Sequence, residues 1–217
     1  MNEQSIIEVI NVSKSFKYDT IIKNLSFSFY GGNIYGLVGG NGSGKTVFMK
    51  ILSGFLKPTS GVVKYNGQEL YSQIEFPSSM GILIENPAML DYLTGFENLK
   101  MLASINKSVD DDEIKKLMRM LDLDPDSKKT VEKYSLGMKQ KIGIIQAIME
   151  KPQVIILDEP TNSLDKKSIK ILIDYFKLLK SNNSIIIISS HQSREIATLC
   201  DEVIQFPFLG NDDDENS

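Results

Sequence analysis

The chain has 217 residues, 41% of them hydrophobic, which suits one α/β domain or a core with a small insert. Its formal net charge is −4, yet four of the 28 acids (Asp212, Asp213, Asp214 and Glu215) crowd into the last six residues, leaving 24 acidic against 24 basic side chains elsewhere. That neutral body argues against a broad nucleic-acid footprint and leaves only a local basic patch open. One cysteine, Cys200, excludes an intramolecular disulfide and fits a reducing compartment. No run approaches the ~18 apolar residues that a membrane span needs. The N-terminus carries no basic-then-apolar signal segment, so a cytosolic location is expected, with any membrane role falling to a partner.

Residues 6–30 alternate in polarity and predict antiparallel strands. Phe16 and Tyr18 are aromatics in a polar stretch, open to base stacking or to packing. Gly31-Gly32 predicts a turn into a buried strand, Ile34 to Val38. Next comes Gly39-Gly40-Asn41-Gly42-Ser43-Gly44-Lys45-Thr46, the G-x-x-x-x-G-K-[ST] pattern of a phosphate-binding loop. Its glycines let backbone N–H groups face an anion, and the following helix, expected over Val47 to Leu56, adds its positive dipole end. Lys45 supplies a cation for the β- and γ-phosphates, and the Thr46 hydroxyl is a hard oxygen ligand for Mg²⁺.

Val62 to Leu70 predicts a hairpin around Asn66-Gly67, and Met80 to Ile84 a short strand ending at Glu85-Asn86-Pro87. Thr94-Gly95-Phe96-Glu97 is a capping box that opens a helix towards Ile105. Acids at 110–113 open another, running to about Leu121. Residues 88 to 150 therefore predict a helical insert. It closes with Tyr134-Ser135-Leu136-Gly137-Met138 before a helix from about Met138 to Glu150. Ser135 there is either a helix cap or part of a second anion site.

Val154 to Leu157 predicts a buried parallel strand ending in Asp158 and Glu159, at the edge where open α/β sheets bind ligands. Asp158 is placed to hold Mg²⁺, and Glu159 to take a proton from an attacking water. A turn ending at Asp165 caps a helix expected over Lys166 to Lys180. A second isoleucine-rich strand, Ile185 to Ile188, runs into Ser189, Ser190 and His191, the only histidine, which is within reach of a γ-phosphate. A last helix is expected over Ser193 to Cys200, and a disordered acidic tail over 211–217.

In this order the motifs resemble the nucleotide-binding subunit of ATP-binding-cassette (ABC) transporters over residues 5 to about 205. Gly39 to Thr46 resembles Walker A, Tyr134 to Met138 the signature, and Val154 to Glu159 Walker B with its adjacent glutamate. Ser163-Leu164-Asp165 resembles the D-loop, and His191 the switch histidine. The resemblance implies a RecA-like P-loop NTPase core with an antiparallel β subdomain and a helical insert, in one domain over 1–210. It implies ATP and Mg²⁺ as bound groups, Phe16 as the adenine platform, and Glu159, His191 and Lys45 as catalytic residues. It further implies a head-to-tail pair of cassettes, identical or not, with Ser135 and Gly137 touching the partner's ATP and Asp165 communicating across the interface. The resemblance also implies a separate polytopic membrane subunit as partner, so the chain would sit peripherally on the cytoplasmic face of the cell membrane.

Two positions depart from the family pattern: Glu85 stands where glutamine is usual, and Leu136 where glycine is usual. An ionised carboxylate ligates Mg²⁺ but donates no hydrogen bond, which makes Glu85 a metal-ligand candidate. Both departures, with Ile84 to Pro87 and Leu93 to Leu99, look like the bacitracin- and lantibiotic-exporter branch, which implies export of an antimicrobial peptide or similar amphiphile. The chain ends soon after its last expected helix, so no regulatory C-terminal domain is expected. The contrasting expectation, a soluble ABC ATPase acting on ribosomes or nucleic acid, lacks a second cassette, a coiled-coil insert and a basic stripe.

Overall fold

The structure, a computed structural model, describes residues 6–17, 19–191 and 199–207. Tyr18, nearly all of the helix expected over Ser193 to Cys200, and the acidic tail lie outside those residues.

The first sheet is antiparallel. β1 (Ile6–Phe16) pairs with β2 (Asp19–Tyr30) and, on its other edge, with β4 (Ser60–Tyr65), which turns through Asn66-Gly67 into the two-residue β5 (Gln68–Glu69). The second arm of the predicted hairpin is shorter than expected. The Glu69 carbonyl accepts from the N–H groups of Ser72, Gln73 and Ile74 and bends the chain away.

The second sheet is parallel, in the order β6 (Met80–Leu83), β7 (Val154–Leu157), β8 (Ile185–Ser190), β3 (Asn33–Val38) and β9 (Glu202–Gln205). Successive strand residues point to opposite faces, and here both faces are covered. Ile155, Leu157, Ile186 and Ile188 join one apolar cluster with α4 (Leu136–Ile148) and α5 (Lys166–Ser181). Val154, Ile156, Ile185 and Ile187 join the other, with α1 (Lys45–Leu52) and the antiparallel sheet. Burial on both faces explains why these strands read as unbroken apolar runs.

Two helix limits differ from expectation. α1 stops at Leu52, four residues early, because Ser53 closes its end and Gly54 follows at φ 81, the left-handed stop that favours glycine. α4 starts two residues early, because the Ser135 hydroxyl accepts from Met138 N–H at 3.2 Å. The capping box of α2 (Gly95–Asn106) forms as expected, and Asp110 caps α3 (Asp111–Met120). α4 packs on α2 and α3 but also on β6 and β7, so it joins the helical insert to the sheet.

That crossing is close. A Cβ at Gly81 in β6 would lie 1.7 Å from the Ala147 carbonyl oxygen of α4. Gly81→Ala is therefore expected to lower unfolding free energy by about 3 kcal/mol, the upper end for overpacking. Urea denaturation of the purified chain measures it.

Candidate functional site

Three neighbouring strands end at one edge of the parallel sheet, and the site is built from their tips. The tip of β3 leads into the loop 39–44. Gly42 and Gly44 sit at φ 77 and 101, and Gly44 serves as the N-cap of α1. Only glycine adopts such angles without strain. Gly39 is held by space instead, since a Cβ there would lie 2.3 Å from the Phe206 carbonyl oxygen.

The loop is set up for an anion. Lys45 is 5% exposed, and its Nζ donates to the Gly39 and Gly40 carbonyls at 2.7 and 2.9 Å. Among the described residues it has no carboxylate partner. The Ser43 hydroxyl is buried with no hydrogen-bond partner, a costly arrangement that a phosphate oxygen would relieve.

The tips of β7 and β8 carry the acids. Thr46 Oγ1 donates to Asp158 Oδ2 at 2.7 Å. Ser189 Oγ donates to Asp158 Oδ1 and accepts from the Glu159 N–H at 2.9 Å. Glu159 Oε2 accepts from Asn162 Nδ2 at 2.6 Å and faces His191 Nδ1 at 2.5 Å. The tautomer with its hydrogen on Nδ1 donates to the carboxylate. Glu159 stands at φ 49, a left-handed backbone that a residue with a Cβ keeps only when its surroundings hold it.

Lys45, Thr46, Asp158 and Glu159 line a cavity of about 650 Å³ together with Phe16, Asn41, Gly42, Ser43, Gly44 and Glu85, whereas Gly39, Ser189 and His191 stand outside that lining. Phe16 is 46% exposed at the end of β1, with Lys14 Nζ 4.9 Å from its ring centre. An open aromatic face of this kind can stack on a base. Glu85, at φ 62, pairs with Lys50 of α1 at 2.6 Å. The donors suit Mg²⁺. Thr46 and Asp158 present hard oxygens side by side, and a magnesium ion typically takes one or two protein oxygens and completes its shell with phosphates and water.

Ser135, Gly137 and Asp165 do not line this cavity. Ser135 caps α4 through its hydroxyl. Gly137 is packed so closely that a Cβ would lie 2.5 Å from the Ser163 carbonyl oxygen. Asp165 caps α5. Its Oδ1 accepts from Ser168 N–H at 2.9 Å and its Oδ2 from Ser168 Oγ at 2.8 Å, with Lys141 Nζ 3.5 Å from Oδ2. The two Ser168 bonds, with Lys141 adding to them, hold the Asp165 carboxyl well below the usual carboxylate range.

Sequence reasoning missed Ser189, Asn162, Gln140 and Lys50 as site residues. The Ser-Ser-His run at the end of an apolar strand was a signal for Ser189. Nothing local marked the other three.

A glycine-rich loop closed by Lys45 and Thr46, facing Asp158 and Glu159 across the end of a parallel sheet, defines a P-loop nucleotide-binding ATPase. The chain belongs to the ABC transporter family, whose model matches residues 22–162, and it is that family's ATP-binding, ATP-hydrolysing subunit. It is 42% identical to the uncharacterized ABC transporter ATP-binding protein YybJ of Bacillus subtilis, over 92% of each chain. It is 37% identical to the bacitracin transport ATP-binding protein BcrA of Enterococcus faecalis, over 91% of this chain but 65% of that one. It is 35% identical to the lantibiotic transport ATP-binding protein SrtF of Streptococcus pyogenes, over 90% and 84%. A solved ATP-binding subunit of an ABC transporter superposes with a TM-score of 0.82 at 25% identity, covering 93% of this chain and 85% of that one. The expected α/β P-loop NTPase fold is thus observed.

The two roles available to Asp165 separate in the absence of nucleotide. Asp165→Ala removes the cap of α5 and strips nearly buried Lys141 of its anion. It is expected to lower the nucleotide-free melting temperature by a few degrees, read by circular dichroism. A residue acting only across a nucleotide-bound interface would leave that temperature unchanged.

Proposed function

We propose that two cassettes close head to tail on two ATP molecules and drive a separate polytopic membrane subunit that exports an antimicrobial peptide or similar amphiphile. The second cassette is another copy of this chain or a related one. The Glu159 carboxylate, clasped by His191 and Asn162 beside the Thr46–Asp158 pair, is the observation that carries the hydrolytic part. The names of the bacitracin and lantibiotic relatives support the cargo class. No helix among the described residues is long and apolar enough to cross a membrane, which accords with a peripheral place on the cytoplasmic face, held there by the partner.

In this reading Phe16 stacks on adenine, and Asn41 and the glycines at 39, 42 and 44 shape the loop around the phosphates. Ser43 supplies a hydroxyl to them. Lys45 exchanges its Gly39 and Gly40 carbonyls for the β- and γ-phosphate oxygens. Thr46 and Asp158 would hold Mg²⁺, and Glu85 would join them on leaving Lys50. Held there, the ion would supply positive charge to offset that of the phosphates.

Glu159 accepts a proton from the attacking water, and His191 orients that carboxylate and reaches the γ-phosphate. Ser135 and Gly137 meet the partner's ATP at the exposed start of α4. ATP therefore links the two halves, and its hydrolysis loosens the link. A ligand that binds only the closed form stabilises it by about 2.7 kcal/mol at a hundredfold excess over Kd.

Glu159→Gln keeps the shape of the site and removes the base. The variant is expected to bind ATP, to accumulate as an ATP-bound dimer, and to turn over about 10²–10⁴-fold more slowly. Phosphate release and size-exclusion chromatography measure this, and wild-type turnover would remove Glu159 as the base. The same variant, purified from its own cells with ATP and mild detergent, is expected to bring down a polytopic membrane protein in stoichiometric amount. Recovery of ribosomes or nucleic acid without one would overturn the transport reading.

A further inference from the structure

Glu159 keeps a left-handed backbone at φ 49, and four residues hold it. Ser189 takes its N–H, Asn162 and His191 meet its carboxylate, the Asn162 N–H donates to its carbonyl at 3.1 Å, and Gln140 of α4 reaches that carbonyl and the next. The Gln140 Nε2 group lies 3.4 Å from the Glu159 carbonyl oxygen and 3.4 Å from that of Pro160. It also lines the nucleotide cavity. Further along the same face of contact, Gly137 abuts the Ser163 carbonyl and Lys141 pairs with Asp165. The first turns of α4 are thus fastened at three points to the segment 159–165. Ser163 in that segment is itself left-handed, at φ 65.

We propose that Gln140 is a positioning residue for hydrolysis: its side-chain amide ties the Glu159–Pro160 turn to α4 and so sets the Glu159 carboxylate for the attacking water. Of the three fastenings, this amide is the one that reaches the carbonyls of Glu159 and Pro160 themselves. Its one amide nitrogen lies 3.4 Å from both carbonyl oxygens, a donor that an ionised carboxylate of the same shape lacks. The arrangement also makes the start of α4, where the partner's nucleotide would bind, mechanically continuous with the base of this chain's own site. The inference rests on Glu159 acting as the base.

Gln140→Ala removes the amide, and Gln140→Glu keeps its volume while removing the donors. Steady-state ATP hydrolysis by the purified full chain is expected to show kcat about tenfold lower in both, the equivalent of one lost hydrogen bond. KM and the affinity for ATP are expected to stay within about twofold of wild type, because the phosphate loop is untouched. Should Gln140→Ala fold poorly, Gln140→Glu decides alone. Unchanged kcat overturns the proposal, and so does a parallel loss of kcat and ATP affinity, which would mark a general packing role. Glu159→Gln is measured alongside. If it retains wild-type turnover, the base assignment itself fails. If it is inactive while the Gln140 variants are not, only the positioning role fails.

Discussion

The site depends on the register of three parallel strands. Leu157 of β7 pairs with Ile188 of β8, and Val38 of β3 pairs with Ser190. β3 and β8 therefore finish level and β7 stops two residues short of them, and the residues just beyond their tips (Gly39 to Thr46, Asp158 and Glu159, and His191) emerge on one edge. A slip of one residue would turn every isoleucine of β8 to the opposite face. With both faces buried, such a slip would exchange two differently shaped cores. The same packing that stabilises the sheet thus fixes where the acids stand relative to the lysine.

From that edge outward the structure is governed by polar groups that burial forces into partnership. Lys45, nearly buried, leans on two backbone carbonyls, and these are weaker partners for a cation than a phosphate anion. Ser189 is fully buried and joins the two acids, donating to one side chain and accepting from the other's backbone. Within the loop, the Ser43 hydroxyl is left over. A loop whose polar groups are either lightly satisfied or unsatisfied is poised for an anion, while Asp158 has both carboxylate oxygens engaged and Glu159 is held through Oε2.

Much of this was legible because the informative residues are contiguous. The phosphate loop, the capping box of α2 and the apolar strands each carry their pattern within about ten residues, where turn chemistry and side-chain period act directly. The helix ends were misread where one residue overrode the apolar periodicity: Gly54 stops α1 early, and Ser135 starts α4 early. The clasp around Glu159 was only half legible. His191 is 32 positions away and drew notice as the sole histidine. Gln140 lies 19 positions before its acceptor on a helix face with no mark of its own. Asp165 shows the opposite case. The turn before a helix was readable as a cap, and the contacts within the chain engage both of its oxygens.

The two adjacent positions of the signature show why one departure from the family pattern is sterically cheap and its neighbour is not. Leu136 opens α4 with 65% of its surface exposed, so its side chain displaces nothing inside the fold. Gly137, one residue on, faces the Ser163 carbonyl, and a Cβ there would lie 2.5 Å from that backbone oxygen. Either α4 or the segment carrying Asp165 would have to move. A side chain is therefore admitted at 136 at little cost to the chain's own stability, while 137 is held to glycine by an internal contact that exists without nucleotide or partner. The consequence of leucine at 136 falls on whatever meets that exposed surface, whereas glycine at 137 keeps α4 close enough for Gln140 and Lys141 to reach the turn behind the acids.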